Sequence, residues 1–157
     1  MVLADAAGKK EQGMPEVKLS AVELERLAIE EVPFAGGMGA KIVEVSAGHV
    51  VATLAYREDF VRPGGTIAGP VMMALADLVM WGVVMSLIGP VKLAVTTNFN
   101  INFLRRPGPG ELTAVGRILK LGSRLAIGEV SLFSGGENGD LVAHVTSTYS
   151  VPPRNDC

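Results

Sequence analysis

The feature that most constrains this chain is a long apolar run from Gly69 to Met85, which contains a single charged residue, Asp77. A helix that is apolar on every side is normally buried. An ionised carboxylate buried with it costs several kcal/mol unless it is paired or neutralised. We therefore expect Asp77 to serve folding, contacts or chemistry.

A membrane span is the alternative interpretation, because the segment from Pro70 to Pro90 approaches the length that a span needs. Asp77, near its middle, opposes insertion into a bilayer. The strands predicted after it are half-buried and need an apolar surface to pack on. The pattern therefore favours a core helix over a membrane helix.

Charge and cysteine usage exclude several function classes. The net charge of −2 lacks the basic excess of a nucleic-acid surface. The only cysteine, Cys157, excludes an internal disulfide and a cysteine-based metal site, and it fits a reducing, cytoplasmic compartment. His49 and His144 lie on separate predicted strands, so no metal site is predicted. Residues 1–17 have no periodicity and no signal-type apolar run, which predicts a flexible tail before a single domain, 18–157.

Hydrophobic periodicity predicts one short helix, one long helix and six strands. The predicted elements are a helix Ser20–Ile29, strands Met38–Val45 and His49–Tyr56, a long helix from Gly69–Pro70 to Gly89–Pro90, and strands Leu93–Leu104, Leu112–Leu121, Leu125–Phe133 and Leu141–Val151. A capping box at Ser20 and Glu23 begins the first helix, and Pro33 is expected to stop it. Gly69 is expected as the N-cap of the long helix, after a loop at 62–66.

This order predicts an α+β fold, in which a six-stranded, mostly antiparallel sheet wraps around one long central helix with a short N-terminal helix before it. The strand Leu93–Leu104 alternates most clearly. Its alternation places Phe99 and Ile101 on one face, and Thr96 with Asn98 on the opposite, polar face.

Two runs together resemble a known family. They are Gly65 to Pro70 with Asp77 following, and Asn98 to Pro107. Both are similar to hotdog-fold acyl-CoA thioesterases of the phenylacetic-acid-degradation type. The resemblance implies that an acid on the central helix activates water or attacks the thioester carbonyl. It also implies that a glycine eight positions earlier binds the oxyanion, and Asp77 and Gly69 match this spacing.

Physical chemistry supports the role of the glycine. A helix N-terminus presents unpaired N–H groups and the positive end of the helix dipole. Pro70 has no N–H, so the donor is Gly69 or a residue beyond Pro70. The alternative for Asp77 is structural: a buried acid that caps a neighbouring helix or pairs with an arginine.

The spacing of Gly69 and Asp77 predicts a homodimer. Eight helical residues rise about 12 Å. One carbonyl group cannot lie against Gly69 N–H and also within reach of Asp77 of the same helix. A working site therefore takes the two residues from different chains, as the resemblance also implies, and two dimers could pair further into a tetramer.

The chain departs from the family at three positions. Relatives usually carry Asn at the position of Arg62, His at Ala68 and Gly at Pro70. Arg62 could bind a phosphate, polarise the carbonyl or pair with Asp77, or it could be a solvent-exposed loop cation. Thr96 matches a residue that holds the nucleophilic water in some relatives, although a threonine in a strand is ordinary.

Further candidates concern the rest of the substrate. Coenzyme A phosphates need cations, for which the candidates are Arg105 and Arg106 and the turn Leu121, Gly122, Ser123 and Arg124 after Lys120. The alternative for that turn is a solvated hairpin end. Candidates for the acyl pocket are Phe60, Met72, Met73, Met80 and Trp81, for which plain core packing is the alternative. Asn98 is a further candidate for substrate binding.

The leading hypothesis is a thioesterase that hydrolyses acyl-CoA at a site shared across a homodimer. Coenzyme A enters as part of the substrate, and no other cofactor, nucleic acid or membrane is expected. The alternative is a non-catalytic hotdog protein that binds acyl-CoA or a small apolar ligand. A hydratase is less favoured, because Ala68 lies where an acid–base histidine would be needed.

Overall fold

The computed structural model describes residues 15–153. Its elements are α1 (Ala21–Glu31), α2 (Pro33–Gly36), β1 (Lys41–Ser46), β2 (His49–Leu54), a 3-10 turn (Glu58–Phe60), β3 (Val61–Arg62), β4 (Thr66–Ile67), α3 (Gly69–Ile88), β5 (Val95–Phe103), β6 (Leu112–Leu121), β7 (Leu125–Ser134) and β8 (Asp140–Ser150). Cys157 and most of the predicted tail lie outside the described residues. Residues 15–17 are exposed and irregular.

The predicted α+β architecture is confirmed. Six strands form one sheet in the order β1-β2-β6-β7-β8-β5, and every neighbouring pair is antiparallel. The helix α3 packs against all six of these strands, with its closest association on β6, β7 and β2. The sheet therefore curves around α3, which leaves β1 and β5 as the two edges.

The helix α3 is the core of the fold rather than a membrane span. By length and composition alone it could cross a bilayer, but 61% of its most apolar 18-residue stretch is buried inside the protein. Glycines on the sheet make room for it. A Cβ atom at Gly116 would lie 2.6 Å from Val79 Cγ1, and one at Gly128 would lie 2.6 Å from Met80 Sδ. The helix can approach the sheet closely because these two positions lack side chains.

The ends of the helices differ partly from the prediction. The capping box at Ser20 is confirmed, since Ser20 N–H donates to Glu23 Oε2 at 2.8 Å and Glu23 N–H donates back to Ser20 Oγ. The first helix ends at Glu31, before Pro33 as expected, and Pro33 also begins the short helix α2, because proline fits the first turn of a helix. The N-cap of α3 is Ala68 rather than Gly69, which is the first helical residue.

The strands also correct the prediction in three places. The first two strands are shorter than expected, at Lys41–Ser46 and His49–Leu54. The predicted loop at 62–66 lies within the small hairpin β3–β4. A β-bulge between Thr96 and Asn98 shifts the register of β5, so that Thr96 pairs with the buried Tyr149 on the helix-facing side. The predicted placement of Thr96 on the polar face was therefore wrong, because a bulge adds one residue to the alternation.

The close helix–sheet contact predicts a large effect of one methyl group. We expect Gly116→Ala to destabilise the protein by about 1–3 kcal/mol, because the added Cβ meets the buried, β-branched Val79. Urea unfolding measures this difference. Gly108→Ala is the matched control, since nothing lies within 4 Å of its added Cβ. Equal stability of the two variants would contradict this close packing.

Candidate active site

The carboxylate of Asp77 is held from two strands. Thr96 Oγ1, on β5, donates to Asp77 Oδ1 at 2.8 Å, and the Tyr149 hydroxyl, on β8, donates to the same oxygen at 2.9 Å. The two strands are neighbours in the sheet, and Thr96 and Tyr149 are direct cross-strand partners. The bulge in β5 and the cross-strand pair together fix the orientation of the acid.

The carboxylate is not enclosed by the core, contrary to the expectation from an all-round apolar helix. Asp77 is partly exposed and lies in an apolar cleft of about 510 Å³. The cleft is lined by Phe34, Pro70, Met73, Ala74, Asp77, Thr96 and Phe99. Within residues 15–153, no group donates a hydrogen bond to Asp77 Oδ2 and no arginine pairs with the carboxylate. One oxygen is therefore anchored, and the other is available to a ligand.

Tyr149 is a site residue that the sequence analysis missed. Its side chain is 3% exposed, and burial followed by the negative charge of Asp77 raises the pKa of its phenol above the usual range. The phenol therefore stays protonated and remains a hydrogen-bond donor to the acid. Its position in a strand of mixed residues gave no local signal, because the contact with Asp77 joins residues 72 positions apart.

The N-terminus of α3 forms a second polar centre. Among hydrogen bonds within the described residues, none uses the Gly69 N–H, as expected for the first residue of a helix. A cavity of about 400 Å³ adjoins it, with Arg62 and Arg106 among its walls. The ring of Phe103 packs on Gly69, since a Cβ there would lie 3.2 Å from Phe103 Cζ. This end of α3 can bind an anion or an oxygen with developing negative charge.

The two polar centres are separate within one chain. Gly69 and Asp77 line different cavities and lie about 12 Å apart along the axis of α3. Arg62 lies beside Gly69, and none of the ion pairs within residues 15–153 joins it to Asp77. The structure thus brings Asp77 and Thr96 together with Met73, and brings Gly69 together with Arg62 and Arg106.

The remaining predicted pocket residues divide between core and surface. Phe60, Met72 and Met80 are buried in the core, with Met80 fully enclosed. Trp81 is partly buried next to the Asp77 cleft. Asn98 is exposed and pairs with Thr148 beyond the bulge, on the sheet face away from α3.

The candidate phosphate-binding residues are exposed and lie at two places. Arg105 and Arg106 both border the cavity at Gly69, and Arg105 also pairs with Asp140 at 3.1 Å. The residues Leu121, Gly122, Ser123 and Arg124 form the tight β6–β7 turn, which Gly122 N–H closes by donating to Leu125 O at 2.8 Å. In the sheet, Leu125 and Val95 both pair with Ser150, so this turn lies at the Thr96 end of β5.

The two histidines are distant from both centres. His49 Nδ1 lies 3.5 Å from Glu44, and His144 Nε2 lies 3.0 Å from Glu129, which also pairs with Arg117. These contacts are on the outer face of the sheet, where side chains alternate with those that face α3. The part of the chain that the structure describes contains no group of three or more His, Cys, Asp or Glu residues that could hold a metal ion.

The sequence of this chain is similar to a family of thioesterases and to several proteins provisionally named esterases. The family model described as Thioesterase superfamily matches residues 64–139. A protein from Sulfurisphaera tokodaii, provisionally named an esterase, is 31% identical over 121 residues, which are 77% of this chain and 88% of that protein. The chain spans 64% of the length of another provisionally named esterase, from Saccharolobus solfataricus.

Solved structures show the same similarity. A provisionally named thioesterase from Silicibacter sp. TM1040 is 39% identical, with a TM-score of 0.79, over 90% of this chain and 97% of that chain. A mutant of the phenylacetic acid degradation protein PaaI from Thermus thermophilus is 28% identical, with a TM-score of 0.68, over 76% of this chain and 99% of that chain. Sequence and fold therefore point to the same group of proteins.

The buried Tyr149 phenol predicts an anomalous titration. In a Tyr56→Phe background, Tyr149 is the only tyrosine, and we expect no phenolate absorbance near 295 nm while the protein is folded. Unfolding in guanidinium should restore ionisation near pH 10. Because the folded pKa is raised, stability is retained below about pH 10 and falls above it, as the unfolded chain alone loses the proton.

Tyr149→Phe is the control for that pH dependence. It should lose less stability than the wild type between neutral and strongly alkaline pH, because its phenyl ring has no proton to release. A folded protein that shows full phenolate absorbance near pH 10 would contradict the burial of the hydroxyl and its bond to Asp77.

Proposed function

The chain belongs to the thioesterase superfamily, with the hotdog fold and a resemblance to its PaaI-like members, and on that premise we propose that it hydrolyses acyl-CoA thioesters in the cytoplasm. The observation that carries the proposal is the geometry of Asp77. Oδ1 is anchored by Thr96 and Tyr149, and Oδ2 is available in an apolar cleft. No cofactor is needed beyond the coenzyme A of the substrate.

The reaction uses Asp77 as the base or the nucleophile. As a base, Oδ2 takes a proton from water while the water oxygen attacks the thioester carbon. The tetrahedral intermediate collapses, the C–S bond breaks, and the coenzyme A sulfur leaves with that proton. As a nucleophile, Oδ2 attacks the thioester carbon directly, the C–S bond breaks and the coenzyme A thiolate leaves, and water then hydrolyses the resulting anhydride to the free acid and the Asp77 carboxylate, releasing a proton that the thiolate takes up. A single turnover in H₂¹⁸O distinguishes the routes, because only the anhydride route can leave ¹⁸O in the Asp77 carboxylate.

The oxyanion is held by the N–H of Gly69 of the partner subunit. Within one chain, Gly69 is too far from Asp77 to share a carbonyl group with it, as the helical rise of about 12 Å requires. A free N–H at the positive end of α3 is suited to a developing negative charge. The proposed site is therefore complete only in a homodimer.

The edge strand β5 supports this dimer. It has nine residues, contains neither proline nor a charged side chain, and presents an unpaired edge of the sheet. The opposite edge, β1, is shorter, carries Lys41 and Glu44, and has a bulge. Both edge strands contain a bulge, but charged side chains and short length also protect an edge from pairing, and only β1 has these two features. The longer, uncharged edge of β5 is thus the surface for a second copy.

Antiparallel pairing of two β5 strands would complete the site. It sets the Thr96 end of one strand beside the Phe103 end of the other. Thr96 contacts Asp77, and Phe103 packs on Gly69. The pairing therefore brings Asp77 of one chain towards Gly69 of the partner subunit, twice in each symmetric dimer.

The same pairing collects the cations for coenzyme A. The turn Leu121–Arg124 lies at the Thr96 end of β5 in its own chain. Arg62 and Arg106 lie near Gly69, and they would arrive from the partner subunit. These cations flank one cleft in the proposed dimer, where guanidinium groups suit the phosphates of the coenzyme.

Removal of the Asp77 carboxylate should strongly reduce turnover. We expect Asp77→Asn to lower kcat/KM for acyl-CoA by about 10²–10⁴, the usual contribution of a positioned base. Thiol release from a panel of acyl-CoAs measures the effect. Unchanged hydrolysis in Asp77→Asn would overturn the assignment, and tight binding without turnover by the wild type would favour the non-catalytic alternative.

Removal of the donor should lower the rate without unfolding the helix. Gly69→Pro deletes the N–H at the first helical position, which proline favours, and adds a ring whose Cβ meets Phe103. Ala68 has a ψ of 142 that precedes proline readily. We expect kcat to fall by about 10²–10³. Gly69→Ala is the matched control, since it adds the same Cβ against Phe103 but retains the donor.

The shared site predicts rescue in mixed dimers. Asp77→Asn and Gly69→Pro subunits, unfolded and refolded together, should regain about one quarter of wild-type activity, because about half of the pairs are mixed and each holds one intact site. The separate variants, refolded in the same way, are the controls. A mixture that remains as inactive as its components would contradict a site built from two chains.

A further inference from the structure

A rear cavity of about 420 Å³ lies beside the Asp77 cleft in the same chain. The helix α1 contributes Leu27 and Glu31 to its walls, and the second half of α3 contributes Trp81 and Met85. The segment 90–96 closes the remaining side. Neither the anchored acid nor the helix N-terminus accounts for this volume.

The rear cavity and the Asp77 cleft are connected through shared walls. Thr96 and Tyr149, which hold Asp77 Oδ1, both line the rear cavity. A small cavity of about 110 Å³ lies between the two, and Asp77 and Trp81 are among its walls. A ligand chain that extends past Asp77 towards Trp81 would therefore enter the rear cavity.

The end of the rear cavity away from Asp77 is bordered by an ion pair. Lys92 Nζ lies 2.9 Å from Glu31 Oε1, which ties the segment after α3 to the end of α1. From Asp77 to Met85, two turns of α3 form one side, over a length of about 12 Å. The rear cavity is thus long enough for an extended chain, and it ends at a polar barrier.

We infer that the rear cavity holds the distal part of the acyl group and selects medium-chain acyl groups over short ones. This inference rests on the proposed function, because it assumes a thioester carbonyl beside Asp77. In the rear cavity, Leu27, Trp81 and Met85 offer apolar surface to an acyl chain that extends past the Asp77 carboxylate. Each methylene buried there improves transition-state binding about fourfold.

The test fills the rear cavity from α1. Leu27→Trp should reduce kcat/KM for octanoyl-CoA more than tenfold relative to butyryl-CoA, because a bulky ring excludes two or more methylenes. Val22→Trp is the matched control, since Val22 is on the same helix and 80% exposed, and both substrates should keep their wild-type rates. Equal losses for the two substrates, or no loss for octanoyl-CoA, would overturn the inference.

Binding without turnover separates this inference from the proposed function. Trp81 is the only tryptophan and lines the rear cavity. In the Asp77→Asn variant, octanoyl-CoA should change the Trp81 emission, and butyryl-CoA should leave it unchanged. No change with octanoyl-CoA overturns the inference even if the wild type hydrolyses it. A change specific to octanoyl-CoA supports the rear cavity even if hydrolysis is absent.

Discussion

The close packing of α3 against the sheet is the constraint on which the rest of the structure depends. Val79 and Met80 occupy space that side chains at Gly116 and Gly128 would fill. This contact sets the distance between α3 and the sheet, and therefore the positions of the two candidate functional groups on α3. The N–H of Gly69 emerges at one sheet boundary, and the carboxylate of Asp77 emerges beside β5 and β8. Loss of the contact would move the two together, because a helix transmits displacement as a rigid rod.

The carboxylate of Asp77 on the apolar helix α3 is tolerated because it faces a cleft, rather than because a positive charge pairs with it. Asp77 faces an open cleft, and two hydroxyl groups satisfy one of its oxygens. Hydroxyl donors stabilise a carboxylate without neutralising it, so the second oxygen remains available to accept a hydrogen bond from a ligand. An arginine at the same place would have satisfied the charge and also blocked the cleft. The same arrangement explains why Tyr149 is buried although it carries a polar atom, since its hydroxyl has a partner.

Sequence patterns predicted the elements of the fold well, because periodicity and turn residues are local. The strand Leu112–Leu121 and the capping box at Ser20 are where the sequence indicated. The features that the sequence did not predict depend on tertiary contacts. The bulge between Thr96 and Asn98 inverts the alternation of inward and outward side chains in part of β5, and no residue type in the sequence predicts it. Tyr149 meets Asp77 only after the sheet has formed. Gly69 and Asp77 are candidates from resemblance and spacing, whereas the orientation of the carboxylate required the structure.

The uncharged edge of β5 has a consequence for the life of the protein in the cell. A subunit alone would present the free outer edge of a nine-residue strand, and such an edge is a template for pairing with strands of other chains. With the proposed dimer, mass action makes conformational stability depend on protein concentration. Dilution would weaken the fold and separate each acid from its oxyanion donor at the same time. Catalytic competence and resistance to aggregation would then rise and fall together with the abundance of the chain.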